Sequence, residues 1–337
     1  MVAPDQAPLS ERAEQVFAFV EGLIETLPVP TRHRALLRLH VDVGRKQAET
    51  YPELPAIELP LLVHAALTGE ETPALPVAGA CTLLYLGADL LDNLFDRELP
   101  PAWHTRESAE ANLAATTLLA ALPQLSIARL REQGTPPARL WALAHLFAQT
   151  LLTMSAGEHE DLVLKEGENG GLQACRAIAE RKSGSEFALF ARAGAILATE
   201  DPTAIERYAA FGLWFGTASQ LCSDVGDIWG EGTSRDLLNG ERTLPVVHAL
   251  SALRGTPRER LQGLLLAAGE SAEYHDEVRA LLAEAGSMHY TALVVEIYLR
   301  RARRHLAAAS PREPAGRALR MLLDRASLLP VADGADG

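Results

Sequence analysis

The sequence has 337 residues, of which 48% are hydrophobic, and a formal net charge of −13 at pH 7. This excess of acid disfavours nucleic acids and anionic membranes as partners. An anionic substrate stays compatible with it, because acidic side chains can hold phosphates through Mg²⁺. Cys81, Cys175 and Cys222 lie far apart and form no CxxC pair, which indicates free thiols in a reducing compartment.

Helical periodicity dominates the chain, and alternating β-branched runs are nearly absent. We predict helices near residues 10–27, 31–49, 57–69, 74–97, 106–122, 136–164, 171–199, 202–230, 243–254, 257–268, 272–285, 287–308 and 313–327. No long linker or shift in composition divides these elements. We therefore expect an all-α fold with one domain over residues 10–328, between a disordered N-terminus at 1–9 and a frayed tail at 329–337.

Two uncharged runs, 72–88 and 111–128, are marginal in length for a membrane span and contain Pro, Asn or Gln. We interpret them as buried helices and expect no stable membrane insertion. The first residues, Met-Val-Ala-Pro-Asp-Gln, lack the basic region and apolar core of a signal peptide, which predicts a cytoplasmic protein.

The helix predicted over 74–97 carries its acidic side chains only at its C-terminal end. Asp89, Asp92 and Asp96 follow a stretch, 74–88, that has no charge. Asp92 and Asp96 are one turn apart and share a face. Mg²⁺ takes one or two carboxylates together with waters and phosphate oxygens, so this pair is a candidate metal site. The alternative is a solvated acidic face, which is what this spacing often means.

A second acidic segment ends the helix predicted over 202–230. It reads Ser223-Asp224-Val225-Gly226-Asp227, and Glu231 follows. On a continuous helix, Ser223, Asp227 and Glu231 lie at one-turn intervals on one face. Two such carboxylate faces, opposed across a helical bundle, would form a site for Mg²⁺ and a diphosphate.

Four motifs over residues 55–255 together resemble the trans-isoprenyl diphosphate synthases, or polyprenyl synthetases. They are Gly157-Glu-x-x-Asp-Leu162, Arg181-Lys-Ser-Gly-Ser185, Thr217-Ala-Ser-Gln-Leu-Cys-Ser-Asp-Val-Gly-Asp227, and Arg235-Asp-Leu-Leu-Asn-Gly-Glu-Arg-Thr-Leu-Pro-Val246. The resemblance implies a class I terpenoid synthase helical bundle around a central apolar cavity. It also implies a homodimer whose substrate is an allylic isoprenyl diphosphate.

The resemblance assigns roles to particular side chains. As catalytic residues it implies Asp92, Asp96, Asp224 and Asp227, which with Glu231 would hold three Mg²⁺ ions. For the substrate diphosphate it implies Lys182, Arg235, Arg242 and Gln220. For the pocket below the first motif we expect Tyr85, Gly87 and Ala88 to set the chain length. Mg²⁺ and the basic side chains would stabilise the charge that develops on the departing diphosphate.

Several departures from the family pattern decide between activities. Asn93 follows Asp92, and Ser223 stands where an aspartate is expected. The segment that binds isopentenyl diphosphate in the family aligns with 56–61, which has no cation and contains Glu58. These losses favour a terpene cyclase, which would ionise a linear C20 or C25 allylic diphosphate, cyclise the cation and release diphosphate. The alternatives are a chain-elongating isoprenyl diphosphate synthase with an atypical isopentenyl site, and a non-catalytic regulatory subunit of such an enzyme.

Overall fold

The computed structural model describes residues 9–51, 53–165 and 170–329. Within these ranges every regular element is helical, and no strand occurs. The predicted all-α fold is therefore confirmed. The predicted disordered N-terminus and frayed tail lie almost entirely outside the described residues.

The α-helices follow the predicted order closely. They are α1 (Glu11–Glu25), α2 (Thr31–Thr50), α3 (Pro55–Thr68), α4 (Leu75–Phe95), α5 (Ser108–Thr116), α6 (Leu122–Ala128), α7 (Pro137–Lys165), α8 (Leu172–Ala179), α9 (Ser185–Ala198), α10 (Pro202–Trp229), α11 (Arg235–Leu238), α12 (Leu244–Ala252), α13 (Thr256–Ala268), α14 (His275–Glu284), α15 (Ser287–Ala309) and α16 (Ala315–Arg325).

Three local features differ from the predicted helices. The short helix α11 was not predicted. The helices expected near 106–122 and 171–199 are each interrupted by a π-helical turn, at Thr117–Ala121 and Glu180–Gly184. Such turns insert one extra residue into a helix and often occur at functional sites. The second of them contains Lys182.

The helices group into two compact units. The first contains the residues up to Leu151 together with Leu189–Ala209 and Ser310–Leu319. The second contains Leu152–Ala188, Ala210–Ala309 and the residues from Arg320 onward. A single domain over 10–328 stays a prediction.

Helix α4 is the centre of the first unit and packs against α1, α3, α5 and α6. Every residue from Pro76 to Leu84 is buried. A β-carbon at Gly79 would lie 2.7 Å from the ring of Phe19, so this position needs glycine for α1 to approach. Ser126 donates a hydrogen bond of 2.7 Å to the carbonyl oxygen of Pro76 and ties α6 to the start of α4.

The second unit has its main core between α10 and the helices that follow it. Ten buried residues contact one another there: Ile228, Leu237, Val246, Ala249, Leu261, Leu265, Ala268, Val278, Leu281 and Leu282. On its other side, the backbone of α10 closely approaches the turn at Glu180–Gly184. Gly216 faces the carbonyl oxygen of Ser183, and a β-carbon at Gly184 would lie 2.6 Å from Thr217 Oγ1. These glycines let the turn lie directly on α10.

Two helical stretches are long and apolar enough to cross a membrane by length and composition alone, Thr72–Phe95 and Ser108–Gln133. In the first, 72% of the apolar window is buried inside the protein, as in a core helix of a soluble protein. In the second the buried share is 44%. The burial of the first stretch agrees with its interpretation as a core helix.

Candidate active site

The first acidic segment lies at the C-terminal end of α4. Asp92 is exposed and Asp96, which caps the helix, is half-buried. Arg97 adopts a left-handed conformation with φ of 60°, and the amide of Glu98 donates to the carbonyl oxygen of Asn93 at 2.8 Å. This pattern ends the helix at Phe95, with Asp96 as its C-cap. The two carboxylates therefore lie at the negative end of the helix dipole, where a bound cation is favoured.

A buried histidine attaches this helix end to its neighbours. His40 of α2 contacts the carbonyl oxygen of Leu86 through Nε2 at 2.8 Å, and its Nδ1 accepts from Trp103 Nε1 at 3.3 Å. Burial lowers the pKa of His40 to about 4. The neutral ring thus donates at one nitrogen and accepts at the other, which fixes α4 and the loop after Asp96 together. No pattern in the sequence predicts this role of His40.

The three predicted pocket residues have different surroundings. Tyr85 and Ala88 are half-buried, and the hydroxyl of Tyr85 accepts from Gln47 at 2.9 Å. Both precede Asp92 on its own side of the helix, by seven and four residues. Gly87 instead faces the π-helical turn at Thr117–Ala121, and a β-carbon there would lie 2.8 Å from the backbone nitrogen of Leu119. Its small size serves helix packing, and its assignment to the pocket stays a prediction.

In the second unit, Asp224 is a buried carboxylate on α10. It is 8% exposed, and its Oδ1 accepts from Gln220 Nε2 at 2.9 Å. Burial raises the pKa of Asp224 to about 7, against the opposing effect of the Gln220 hydrogen bond. Nearby carboxylates, Asp161 first among them, add to the rise in pKa. A cation bound here would relieve the cost of ionising this group.

Asp227 organises the loop that follows α10. Its carboxylate accepts from Ser234 Oγ at 2.5 Å and from the amides of Arg235 and Asp236 at 3.1 and 3.0 Å. These donors include the first amides of α11, so Asp227 caps that helix. The predicted metal role of Asp227 is untested, whereas its role in holding α11 is visible in the structure.

The expectation that Ser223, Asp227 and Glu231 share one helical face is wrong. Helix α10 ends at Trp229, and Gly232 takes a φ of 94° in the turn that follows. Glu231 therefore lies beyond the helix and is exposed. Glu231 is therefore not on the face that Ser223 and Asp227 share on α10, and its predicted metal role stays untested.

Lys182 lies in the π-helical turn between α8 and α9, opposite two carboxylates of α7. Its Nζ is 2.8 Å from Asp161 Oδ2 and 2.7 Å from Glu158 Oε2. The next residue, Ser183, donates to Gln220 Oε1 at 2.5 Å. One turn thus brings together Lys182, Gln220 and Asp224, three of the residues predicted for the site.

The two predicted arginines lie at either end of the segment that contains α11. Arg235 is exposed at the first position of that helix. Arg242 is half-buried, and its carbonyl oxygen accepts from Cys175 Sγ at 3.5 Å. Sequence reasoning missed Asp236, whose pKa is raised to about 8 by burial and by the charges of Asp224 and Asp227. Its position directly after Arg235 in the family motif was the available signal.

The donor atoms of both segments are suited to Mg²⁺. Among the described residues, no three His, Cys, Asp or Glu side chains form a ready-made metal site. Mg²⁺ seldom needs one, because it keeps several waters and binds one or two carboxylates together with phosphate oxygens. Asp92 with Asp96, and Asp224 near Lys182, fit that pattern of hard oxygen ligands.

The sequence matches the family model for polyprenyl synthetases over residues 84–284. A curated relative, the (2E,6E)-farnesyl diphosphate synthase of Mycobacterium tuberculosis, is 27% identical over 222 residues. That alignment covers 63% of this chain and 60% of the relative, so the chain spans less than two thirds of the relative's length.

Solved structures agree with the fold. The polyprenyl synthetase from Streptomyces coelicolor A3(2) has a TM-score of 0.78 at 21% identity, covering 94% of this chain and 98% of the other. The geranylgeranyl pyrophosphate synthase from Corynebacterium glutamicum, complexed with isoprenyl diphosphate and magnesium, has a TM-score of 0.79 at 16% identity, covering 95% and 99%. The family model spans more than half of the sequence, and the chain belongs to the polyprenyl synthetase family.

Proposed function

We propose that this protein is an isoprenyl diphosphate synthase, a prenyltransferase that joins an allylic isoprenyl diphosphate to isopentenyl diphosphate. The sequence alone favoured the cyclase and left this activity as an alternative. The relatives named above are synthases, which favours it over the cyclase. The observation that carries the proposal is the grouping of Lys182, Gln220 and Asp224 around one turn, in a chain of this family.

The chain's own residues would act mainly through charge. Asp92 and Asp96 would hold Mg²⁺, and Asp224 would also be a metal ligand. When bound, Mg²⁺ neutralises the charge of the leaving diphosphate. Lys182 would donate hydrogen bonds to diphosphate oxygens. The bond between C1 and the diphosphate oxygen breaks as charge develops on that oxygen. The alkene of isopentenyl diphosphate would then bond to C1, and the resulting cation would lose a proton to the released diphosphate or to water, which gives the longer allylic diphosphate.

A second candidate, the terpene cyclase, is favoured by one feature of the first unit. Glu58, at the position where the family has cations, is 3% exposed and bonds to Arg12 at 2.9 Å. Arg12 also bonds to Glu71 at 2.7 Å, so its guanidinium is shared between two carboxylates. Burial raises the pKa of Glu58 to about 7. Arg12 of α1 thus places a cation beside this segment. Its charge is already neutralised by Glu58 and Glu71, which disfavours the binding of a second diphosphate.

Product analysis would distinguish the two activities. The purified protein would be incubated with Mg²⁺, a C15 or C20 allylic diphosphate and labelled isopentenyl diphosphate. We expect the label in a longer prenyl diphosphate, detected by mass spectrometry. Release of diphosphate with an unlabelled hydrocarbon or alcohol would reject the synthase in favour of the cyclase. The absence of turnover with any C10 to C25 substrate would favour the regulatory subunit.

Finer features are part of the same proposal. We propose C20, or C25, as the preferred allylic chain, because Ala88 is small and lies one turn before Asp92 on the same face of α4. Three Mg²⁺ ions, a homodimer and a cytoplasmic location also remain proposals, which metal titration, sedimentation and cell fractionation would test.

A further inference from the structure

We infer that Ser183 is a positioning residue that fixes the carboxamide of Gln220 and, through it, the carboxylate of Asp224. The inference rests on the proposed function, because it takes Asp224 as a ligand of the metal that binds the diphosphate. It also changes the role of Gln220 from a contact of the substrate to a support of the metal site.

The hydrogen bonds form a chain with one direction. Ser183 Oγ donates to Gln220 Oε1 at 2.5 Å, and Gln220 Nε2 donates to Asp224 Oδ1 at 2.9 Å. An ionised carboxylate only accepts hydrogen bonds, so the amino end of the carboxamide must face Asp224. The carbonyl end then needs a donor, and the Ser183 hydroxyl supplies it. The two ends of Gln220 are therefore held in the orientation that supports a charged Asp224.

The backbone places Ser183 where it can do this. The π-helical turn shifts residues 180–184 relative to a regular helix, and the glycine at 216 lets the turn lie on α10. In this arrangement the Ser183 hydroxyl lies 2.5 Å from the Gln220 carbonyl oxygen. The same turn directs Lys182 to Asp161. Adjacent residues thus serve the diphosphate and the metal ligand, which couples the position of one to the position of the other.

Loss of the hydroxyl should loosen Asp224 without removing it. In Ser183→Ala the Gln220 carbonyl loses its donor, and the carboxamide gains rotational freedom. One lost hydrogen bond corresponds to roughly a tenfold change in an equilibrium constant. We therefore expect the Mg²⁺ concentration for half-maximal activity to rise roughly tenfold, with kcat at saturating Mg²⁺ changed only a few-fold.

The test compares Ser183→Ala, Ser183→Thr, Gln220→Leu and the double variant Ser183→Ala/Gln220→Leu. Ser183→Thr keeps a hydroxyl and should restore the metal dependence of the wild type. The double variant should bind metal no worse than Gln220→Leu alone, because both changes break one chain. Ser185→Ala is the control for the turn itself, since Ser185 donates to the carbonyl oxygen of Arg181 at 2.5 Å and takes no part in the chain to Asp224.

Binding of Mn²⁺ in the presence of inorganic diphosphate, followed by electron paramagnetic resonance, gives a second readout that needs no turnover. Weaker Mn²⁺ binding in Ser183→Ala with recovery in Ser183→Thr supports the inference, even if the proposed prenyl transfer is absent. Unchanged Mn²⁺ binding in a folded Ser183→Ala variant overturns it. An equal loss of Mn²⁺ affinity in Ser185→Ala also overturns the inference, because it would show a general effect of the turn. If Ser183→Ala fails to fold, a normal metal dependence in Gln220→Leu overturns it as well.

Discussion

The two acidic segments have similar spacing in the sequence but different surroundings in the structure. Asp92 is exposed on the last turn of α4, and its position is set by where the helix ends. Asp224 is buried inside α10 and bonded to Gln220, and Asp227 holds the start of the next helix. The comparison indicates that the second segment is preorganised by its hydrogen bonds. The first segment lies at the C-terminal end of α4, where the helix dipole would favour the cation proposed to bind there.

Asparagine substitutions at Asp92 and Asp224 should separate activity from stability. Each removes a charge proposed to hold Mg²⁺, and we expect each to lower kcat/KM by about 10²–10³-fold. Asp92→Asn should change the free energy of unfolding by less than about 0.5 kcal/mol, because the side chain is exposed. Asp224→Asn should stabilise the metal-free protein at pH 8 by about 1 kcal/mol or more, because it removes a buried charge.

Steady-state kinetics and chemical unfolding measure both quantities. A folded Asp92→Asn variant with normal turnover would reduce the first segment to a solvated surface. A large loss of stability in Asp224→Asn would mean that the charge of Asp224 supports the fold.

Substitutions around Lys182 test whether its partners compete with the substrate. Lys182→Met leaves Glu158 and Asp161 close together without their cation, and we expect a loss of about 1–3 kcal/mol in stability along with most of the activity. Glu158→Gln leaves Lys182 one carboxylate and should tighten the binding of diphosphate several-fold. Inhibition of the enzyme by inorganic diphosphate measures this affinity. Weaker inhibition of Glu158→Gln would show that Glu158 assists binding rather than competing with it.

The neighbours Gly87 and Ala88 offer a matched pair in the first unit. Gly87→Ala places a β-carbon 2.8 Å from the backbone of Leu119, so we expect a loss of about 1–3 kcal/mol in stability and no change in product length. Ala88→Phe lies one turn before Asp92 and should shorten the product. Thermal unfolding and chromatography of the products separate the two effects. A shorter product from Gly87→Ala would mean that Gly87 also lines the pocket.

Much of this fold was predictable because apolar residues recur at helical spacing along the chain, and proline and glycine mark several helix boundaries. Apolar spacing predicted α4 and α10, and the carboxylates at their ends predicted the two acidic segments as candidate metal sites. The turn at Glu180–Gly184 was not predictable, because no residue pattern marks a π-helical insertion. The end of α10 was misplaced by one residue, and Glu231 lies in the turn after the helix, not on the predicted face. Arg12 was missed because its partners, Glu58 and Glu71, are distant in sequence.

The pH dependence of stability should reveal the burial of the second segment. In the metal-free protein the pKa values of Asp224 and Asp236 are raised to about 7 and about 8. A carboxyl group whose pKa is higher in the folded state favours folding while it is protonated, so stability falls as pH rises from about 4 through these values. Over the part of this window between pH 6.5 and 8.5, each group contributes a slope of at most about 1.4 kcal/mol per pH unit.

Asp236→Asn should flatten this dependence of stability on pH. Added Mg²⁺ should also flatten it if the ion binds Asp224. Chemical unfolding at several pH values, with chelator or with Mg²⁺, measures it. A wild-type stability that rises between pH 6.5 and 8.5 would mean that these carboxylates are solvated, and the contrast with the first segment would disappear.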